Sequence, residues 1–284
     1  MSDFVNVTRA ELFKLVRRPA AWTLLAAALL LSETFGYLIP YLSYRSGSGT
    51  GPIDGASKAD ILASTLPDQL IANAIGGFPV FAGALALAFG GLMFGGEYGW
   101  GTVKTLFTQR PQRLTVLAGQ FVAMVVALAV SVLAMLCLGA VSSALIASSE
   151  GQPMNWLSAL DLLKGYGAGL LILTMWASVG ATLGVALRGV ALPIGFGIVW
   201  VLGIENLLSA MAGTVMSALE PLRDVLPGVN GGSLASSLMS TRPIPSPPGV
   251  SDSVDPTRAL LTVAAYIVAC VAFAAWNLRR RDVA

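Results

Sequence analysis

The sequence has no histidine, only 15 acidic and 17 basic residues among 284, and two cysteines. Without histidine, the chain has neither the zinc-binding helix of a metalloprotease nor a Ser-His-Asp triad. The lysines (Lys14, Lys58, Lys104 and Lys164) each follow a residue other than glycine, so there is no Gly-x-x-x-x-Gly-Lys phosphate-binding loop. We expect no catalytic residue, no metal and no bound cofactor, leaving an intramembrane enzyme built on carboxylates as a minor alternative.

Charged residues make up 11% of the chain and hydrophobic residues 55%, with a mean hydropathy of +0.75. This leaves too little polar surface to cover a soluble protein of this length. Cys137 and Cys270 lie inside apolar runs, where a thiol behaves as a small hydrophobic group. The composition therefore predicts an integral membrane protein with no disulfide framework and no nucleic-acid partner.

Six apolar runs are each about 20 residues or longer, the length that crosses a bilayer at about 1.5 Å per residue. They lie at residues 20–42, 71–95, 115–147, 165–187, 190–209 and 258–278. Arg9, Lys14, Arg17 and Arg18 precede the first run without a cleavage site, so we expect no removable signal peptide. The predicted fold is all-α, a single membrane domain over residues 1–284.

The basic residues predict that both termini are cytoplasmic. With that orientation eleven basic residues lie inside and six outside, although the outer loops are longer, as the positive-inside rule requires. A high ratio of arginine to lysine, with abundant alanine and glycine, points to a bacterium, hence to its plasma membrane.

The segment before the first span, residues 1–19, predicts an amphipathic helix lying along the inner membrane surface. Its apolar residues fall at helical spacing on one side, and its basic residues decorate the rest. The apolar set is Phe4, Val5, Leu12, Leu15 and Val16. Pro19 marks the turn into the first span, and a merely solvated tail is the alternative.

The loop at residues 96–114 carries the most specific motif. It reads Glu97-Tyr-x-x-Gly-Thr-x-x-x-Leu-x-Thr-x-x-Pro-x-Arg113, with glycines that break the helix before a short charged segment. An ordinary inside loop accounts for Arg110 and Arg113 but not for Glu97 at the membrane boundary or the Gly-Thr element. The loop therefore suggests a docking element.

This motif resembles the signature loop of ABC type-2 export permeases, and Glu11-Leu-x-Lys-Leu-x-Arg-Arg-Pro19 resembles the start of these proteins. The resemblance implies a permease subunit that pairs with a second permease copy, identical or related, and with two ATPase subunits that bind the ATP and Mg²⁺. It implies an elbow helix carrying Glu11, Lys14, Arg17 and Arg18. It also implies ATPase coupling through Glu97, Tyr98, Gly101, Thr102, Lys104, Thr108, Arg110, Pro111 and Arg113.

Two acidic residues, Glu33 and Glu205, stand inside predicted spans, where an ionisable group is costly and a functional candidate. Both fall in the outer half of the membrane. Glu205 and the neighbouring Asn206 rank first as candidates for the substrate pathway, and Glu33 follows. For each acid a structural role, with the side chain bonded to a neighbouring helix, is the alternative.

The outer loop at residues 210–257 has an apolar first part and then a proline-rich part. We expect Met211–Leu219 and Leu234–Met239 to dip back into the membrane as short helices, and residues 243–248 to form an exposed, extended connector. In the resembling family a re-entrant element before the last span caps the pathway.

The sequence thus predicts export of an amphipathic or hydrophobic substrate, such as a drug, antibiotic, peptide or lipid, powered by a separate ATPase. Two alternatives remain at this stage. One is a secondary transporter driven by an ion gradient through Glu33 and Glu205, although no internal repeat is evident. The other is a membrane anchor that recruits a cytoplasmic protein through the same loop.

Overall fold

The computed structural model describes residues 2–46, 56–99, 113–214, 217–239 and 244–280. Within these ranges the chain forms helices and turns and no strand. Six helices are long and apolar enough to cross a membrane. They are span 1 (Pro19–Ser46), span 2 (Pro67–Tyr98), span 3 (Leu114–Ser149), span 4 (Ala159–Leu187), span 5 (Ala191–Ala212) and span 6 (Pro256–Arg280). The predicted all-α, six-span fold class is confirmed.

An N-terminal helix, Ser2–Arg17, precedes span 1. Arg18 is extended, and Pro19 opens the next helix at its first position, where the missing N–H costs nothing. The predicted single apolar side is divided between two environments. Leu15 is buried with Val7 and Glu11 in one row against span 3, whereas Phe4, Val5 and Val16 are exposed. The difference arises because the start of span 3 covers only the row at i, i+4 and i+8.

Short helices complete the described chain: Lys58–Ala63, Glu220–Arg223 and Pro227–Ser236, with 3₁₀ turns at Pro67–Gln69 and Ser217–Leu219. Three spans contain a π-helical turn, at Thr34–Leu38 in span 1, Phe78–Ala82 in span 2 and Val199–Ile204 in span 5. In span 2 the cause is local. Pro79 has no N–H for the regular ladder, and Ala82 instead donates to the carbonyl of Gly77, 3.0 Å away.

Span 2 lies at the centre of the bundle. In its most apolar window 83% of the residues are buried, against 6% in span 1. It packs along span 4 through glycines that let the backbones touch: a Cβ on Gly180 would overlap the carbonyl oxygen of Leu87, and one on Gly90 would overlap that of Ala177. The small-residue face of span 4 is therefore the contact with span 2.

Before span 6 the chain turns back into the bundle. The helix Pro227–Ser236, here called the inserted helix, is buried from Pro227 to Ala235. A Cβ on Gly231 would lie 3.4 Å from Ile172, near the midpoint of the 29-residue span 4. Residues 244–254 return alongside, where Val254 N–H donates to Ser233 Oγ at 3.3 Å. The inserted helix and residues 244–254 together form what we call the inserted segment.

The position of this element differs from the sequence-based expectation. The inserted helix begins at Pro227, not at Leu234, and Met211 belongs to the helix Glu205–Thr214 that continues span 5. The run Gly228-Val-Asn-Gly-Gly232 reads as a turn because its glycines lack intrinsic helix propensity. Packing against spans 2, 4 and 6 and against residues 244–254 makes it helical, since small residues are what fit there.

Candidate functional site

A charged cluster lies where the N-terminal helix meets the end of span 2, here called the charged end of the bundle. Glu97 is only 6% exposed. Its Oε1 accepts hydrogen bonds from Lys14 Nζ at 3.1 Å and from Arg18 Nη2 at 3.2 Å. Lys14 Nζ also lies 2.6 Å from Oε1 of Glu11, which is buried as well. Two carboxylates and two cations therefore balance one another.

The local sequence explains why these groups meet. Glu97 stands in the last turn of the helix Gly83–Gly99. Lys14 stands in the last turn of the N-terminal helix, and Arg18 directly follows that helix. A buried ionised carboxylate needs close counter-charges or hydrogen-bond donors, and the nearest chain neighbours of Glu97 supply no counter-charge. The ion pairs thus join residues 79 and 83 positions apart.

The N-terminal helix also packs on the first turns of span 3. Val7 lies against Gly119, where an added Cβ would come within 2.5 Å of its side chain. Span 3 begins directly after the predicted coupling loop. The two ends of that loop are therefore held by one element, with Glu97 on one side and the start of span 3 on the other.

The sequence-predicted coupling residues are only partly within the described chain. Tyr98 continues the helix of span 2 and Arg113 begins the helix of span 3. Gly101, Thr102, Lys104, Thr108, Arg110 and Pro111 lie outside the described residues. Of the predicted elbow residues, Arg17 stands apart from the charged cluster, with its guanidinium 4.8 Å from the ring centre of Phe13.

Glu205, the leading pathway candidate, lies at the N-terminus of the inserted helix. It is 4% exposed and follows directly after the π-helical turn of span 5. Its Oε1 accepts hydrogen bonds from the backbone N–H of Gly228 at 2.5 Å and of Val229 at 3.3 Å. These are first-turn donors that a helix cannot satisfy internally. Oε2 is buried and has no hydrogen-bond partner among the described residues.

Asn206 behaves differently from its neighbour. Its Nδ2 donates to the carbonyls of Val201 and Leu202, at 2.9 and 3.3 Å, which lie in its own helix. These carbonyls belong to the π-helical turn, where the regular ladder is interrupted. Asn206 therefore stabilises span 5 itself, while Glu205 reaches across to the inserted helix.

Two cavities lie on either side of the inserted segment. A polar cavity of about 220 Å³ is lined by Glu205, Asn206, Ser209, Val80, Ser251 and Ser253, among others. A more apolar groove of about 250 Å³ is lined by span 1, span 2 and the proline-rich residues, including Phe35, Phe78, Phe81, Pro245 and Pro248. The proline-rich connector, predicted to be exposed, thus also forms one wall of a groove.

Glu33 lies in a different part of the bundle. Its Oε2 accepts a hydrogen bond of 2.5 Å from Ser142 Oγ of span 3. Glu33 therefore lies between spans 1 and 3, whereas Glu205 lies between span 5 and the inserted helix. The structure does not bring these two candidates together.

One polar cluster was not predicted from the sequence. Glu150, just after span 3, accepts hydrogen bonds from the hydroxyls of Tyr41 and Tyr44, at 2.9 and 3.0 Å, and from Arg45 at 3.4 Å. These hydrogen bonds, the Tyr41 hydroxyl first, hold the pKa of Glu150 below its usual range. The grouping Tyr41-x-x-Tyr44-Arg45 at the end of span 1 is the signal in the sequence.

In the part of the chain that the structure describes, no three His, Cys, Asp or Glu side chains come together to form a metal site. The buried carboxylates are instead taken up by cations, hydroxyls and backbone N–H groups. The arrangement is that of charged and polar links between helices.

Comparison with protein families gives a match over nearly the whole chain. The model of the family described as ABC-2 family transporter protein matches residues 5–283. The chain therefore belongs to this family, and it is a multi-pass membrane protein with a permease role. No curated protein matches it.

Proposed function

We propose that this ABC-2 family permease is the membrane subunit of an ATP-driven exporter and is moved by a separate ATPase through residues 96–114. The supporting observation is the ion-paired contact of Glu97 with Lys14 and Arg18. A docking loop transmits force only if its ends are tied to the elements that must move. Here the loop begins at a buried, doubly paired carboxylate.

The charged cluster connects the loop to the helices that would move. A displacement of the loop moves the end of span 2, and the ion pairs carry it to the N-terminal helix. That helix continues through Arg18 and Pro19 into span 1 and packs on the start of span 3. Three spans would therefore move together, which suits an alternating-access mechanism driven from one side.

The assembly we propose contains two ATPase subunits and a second permease copy, identical or related. ATP and Mg²⁺ would be bound by the ATPase subunits, and this chain would contribute no covalent chemistry. The distribution of basic residues orients both termini and residues 96–114 to the cytoplasm of a bacterial cell. The coupling residues are those of the motif from Glu97 to Arg113.

The proposed substrates are amphipathic or hydrophobic molecules. Supporting this, a second apolar cavity of about 220 Å³ lies beside the N-terminal helix and is lined by Leu12, Trp22, Phe89 and Val126, among others. The groove beside the proline-rich residues is apolar as well, with the stacked rings of Phe35 and Phe81 5.8 Å apart. Glu205, Asn206 and Glu33 stay as candidates for the substrate pathway, and the first two line the polar cavity.

An ion-driven transporter would instead use Glu33 and Glu205 as proton carriers. Each of these carboxylates is engaged by a different element, Ser142 and the inserted helix, so no shared relay is formed by the described contacts. A pure membrane anchor would have no use for cavities on both sides of the inserted segment. We therefore retain ATP-driven export as the proposal.

The test is to purify the full chain gently from its native membranes and identify what accompanies it. We expect an ATPase with the wild type and at least a tenfold loss of it in Glu97→Ala, because the loop loses its anchor. Asp252→Ala, which removes an exposed acid far along the chain, is the matched control and should retain the ATPase.

Reconstituted vesicles then separate the energy sources. ATP-dependent transport that survives collapse of the proton gradient supports the proposal. Transport that follows the gradient and ignores ATP would overturn it, as would the absence of any ATPase with the wild type.

A further inference from the structure

The inserted helix contacts spans 2, 4 and 6 in one way and span 5 in another. It packs on the π-helical turn of span 2 and on spans 4 and 6 through apolar and small side chains. Its polar side chains bond locally: Asn230 donates to the carbonyls of Asp224 and Leu226, and Ser233 accepts from Val254. The hydrogen bonds from Gly228 and Val229 to Glu205 are what link it to span 5.

This link depends on close approach. A Cβ on Gly228 would lie 2.8 Å from Glu205 Oε1 and 2.9 Å from Cδ, so the carboxyl group sits directly against the first turn of the inserted helix. Glu205 in turn stands at the end of the π-helical turn of span 5. Any rotation or shift of span 5 at this turn changes the distance between Oε1 and the two N–H groups.

The inserted segment also covers a residue of span 2. Val80 of span 2 is buried directly beneath Gly249 of the inserted segment, whose φ is +84°. Val80 lines the polar cavity together with Glu205. Gly249 packs on Gly232 of the inserted helix, where an added Cβ would overlap the Gly249 carbonyl oxygen, so we expect a helix that loses its cap to loosen the cover over Val80.

We propose that Glu205 is a positioning residue that holds the inserted helix across the transport route by capping its first turn, so that span 5 and the inserted helix move as one unit. The inference rests on the proposed export function and refines the role of Glu205, which acts on the inserted helix and not on substrate. The cap requires an acceptor oxygen at the length of a glutamate side chain. The cap therefore depends on the length of the side chain and not on its negative charge.

Two substitutions separate reach from charge. Glu205→Gln keeps the length and one acceptor oxygen, whereas Glu205→Asp keeps the charge and withdraws the oxygens by one methylene. The first readout is hydrogen–deuterium exchange of the purified full chain in nanodiscs. We expect exchange of the amides in residues 227–236 to rise roughly tenfold in Glu205→Asp and to stay unchanged in Glu205→Gln.

Ser209→Ala is the matched control, because Ser209 lines the same polar cavity and no described hydrogen bond of its side chain joins it to the π-helical turn or to the inserted helix. It should leave exchange in the inserted helix unchanged. Equal exchange in Glu205→Asp and the wild type would overturn the proposal, and so would a rise in Glu205→Gln that matches or exceeds that in Glu205→Asp.

The second readout is access to Val80, which a purely local loosening would not alter. Val80→Cys, in a chain whose Cys137 and Cys270 are replaced by alanine, is treated with a membrane-impermeant maleimide. We expect labelling about tenfold faster with Glu205→Asp than with Glu205 or Glu205→Gln. Met124→Cys, at a fully buried position of span 3, must stay unlabelled in each case, which excludes general unfolding.

Both readouts work without ATP, substrate or partner. If they follow the expected pattern while no ATP-dependent transport is found, the export function fails and the cap stands. If transport is ATP-dependent but Glu205→Gln abolishes it with exchange unchanged, Glu205 acts through its charge and the positioning role is wrong.

Discussion

The bundle buries one glutamate of a transmembrane helix near each end, and the two are stabilised in different ways. Glu97 is paired with the side chains of Lys14 and Arg18, whereas Glu205 accepts from the backbone N–H groups of Gly228 and Val229. Long cationic side chains can follow a carboxylate that moves. Backbone donors at a helix N-terminus are fixed to their helix, so that bond is either made or broken.

The difference suggests separate tasks for the two ends. The charged end tolerates movement while staying connected, as an element that transmits force must. The opposite end has a contact that fixes the inserted helix to span 5, as two elements that move as one unit must. The following changes break or sharpen this contrast, beginning with the largest expected effect.

Replacing Glu97 with glutamine removes the charge that two cations share. We expect a loss of about 2–4 kcal/mol in the free energy of unfolding, near the lower end of the range for breaking a buried ion pair, because Lys14 is 35% exposed and regains water. Thermal unfolding in nanodiscs measures it. If charge is what matters, Glu205→Gln under the same conditions should cost far less. Equal losses for the two glutamines would remove the contrast.

Replacing Gly228 with alanine perturbs the hydrogen bonds of Glu205 without changing Glu205 itself. The new methyl group would lie 2.8 Å from Glu205 Oε1 and push the carboxyl group away from the first turn. We expect a loss of about 1–2 kcal/mol, the usual cost of a lost N-terminal cap. Gly231→Ala is the matched control, since its methyl group would lie 3.4 Å from Ile172. A melting temperature for Gly228→Ala equal to that of the control would argue against the cap.

We expect the smallest effect at Glu150, whose carboxylate accepts hydrogen bonds from two tyrosine hydroxyls. It tests whether hydroxyl donors stabilise a carboxylate as cations do or as backbone N–H groups do. Since its pKa is lowered in the folded protein, its contribution to stability is present above its ordinary pKa of 4.5 and is lost as the pH falls through the folded value. Thermal unfolding measured from about pH 6 to about pH 3.5 should show this decline. Tyr41→Phe with Tyr44→Phe should flatten the decline, and an unchanged slope would show that other carboxylates cause it.

Sequence reasoning found both key acids but neither of their partners. Glu97 was predicted as a coupling residue, and Lys14 and Arg18 as residues of the elbow helix, but the sequence did not indicate that these side chains pair. The partners of Glu205, the backbone N–H groups of Gly228 and Val229, were not predicted. Every residue except proline has a backbone N–H, so the sequence does not distinguish these two. The inserted helix was likewise displaced to Leu234–Met239, because its glycines and Asn230 disfavour a helix in isolation.

The sequence by itself determined the membrane location, the six spans and the transporter family. These follow from the length of apolar runs and from short motifs, which are local properties of the chain. Only the tertiary structure decided that span 2 is central, that the N-terminal helix pairs with Glu97 and that Glu205 caps the inserted helix. Each of those contacts joins residues far apart in the chain, and their geometry depends on how whole helices pack.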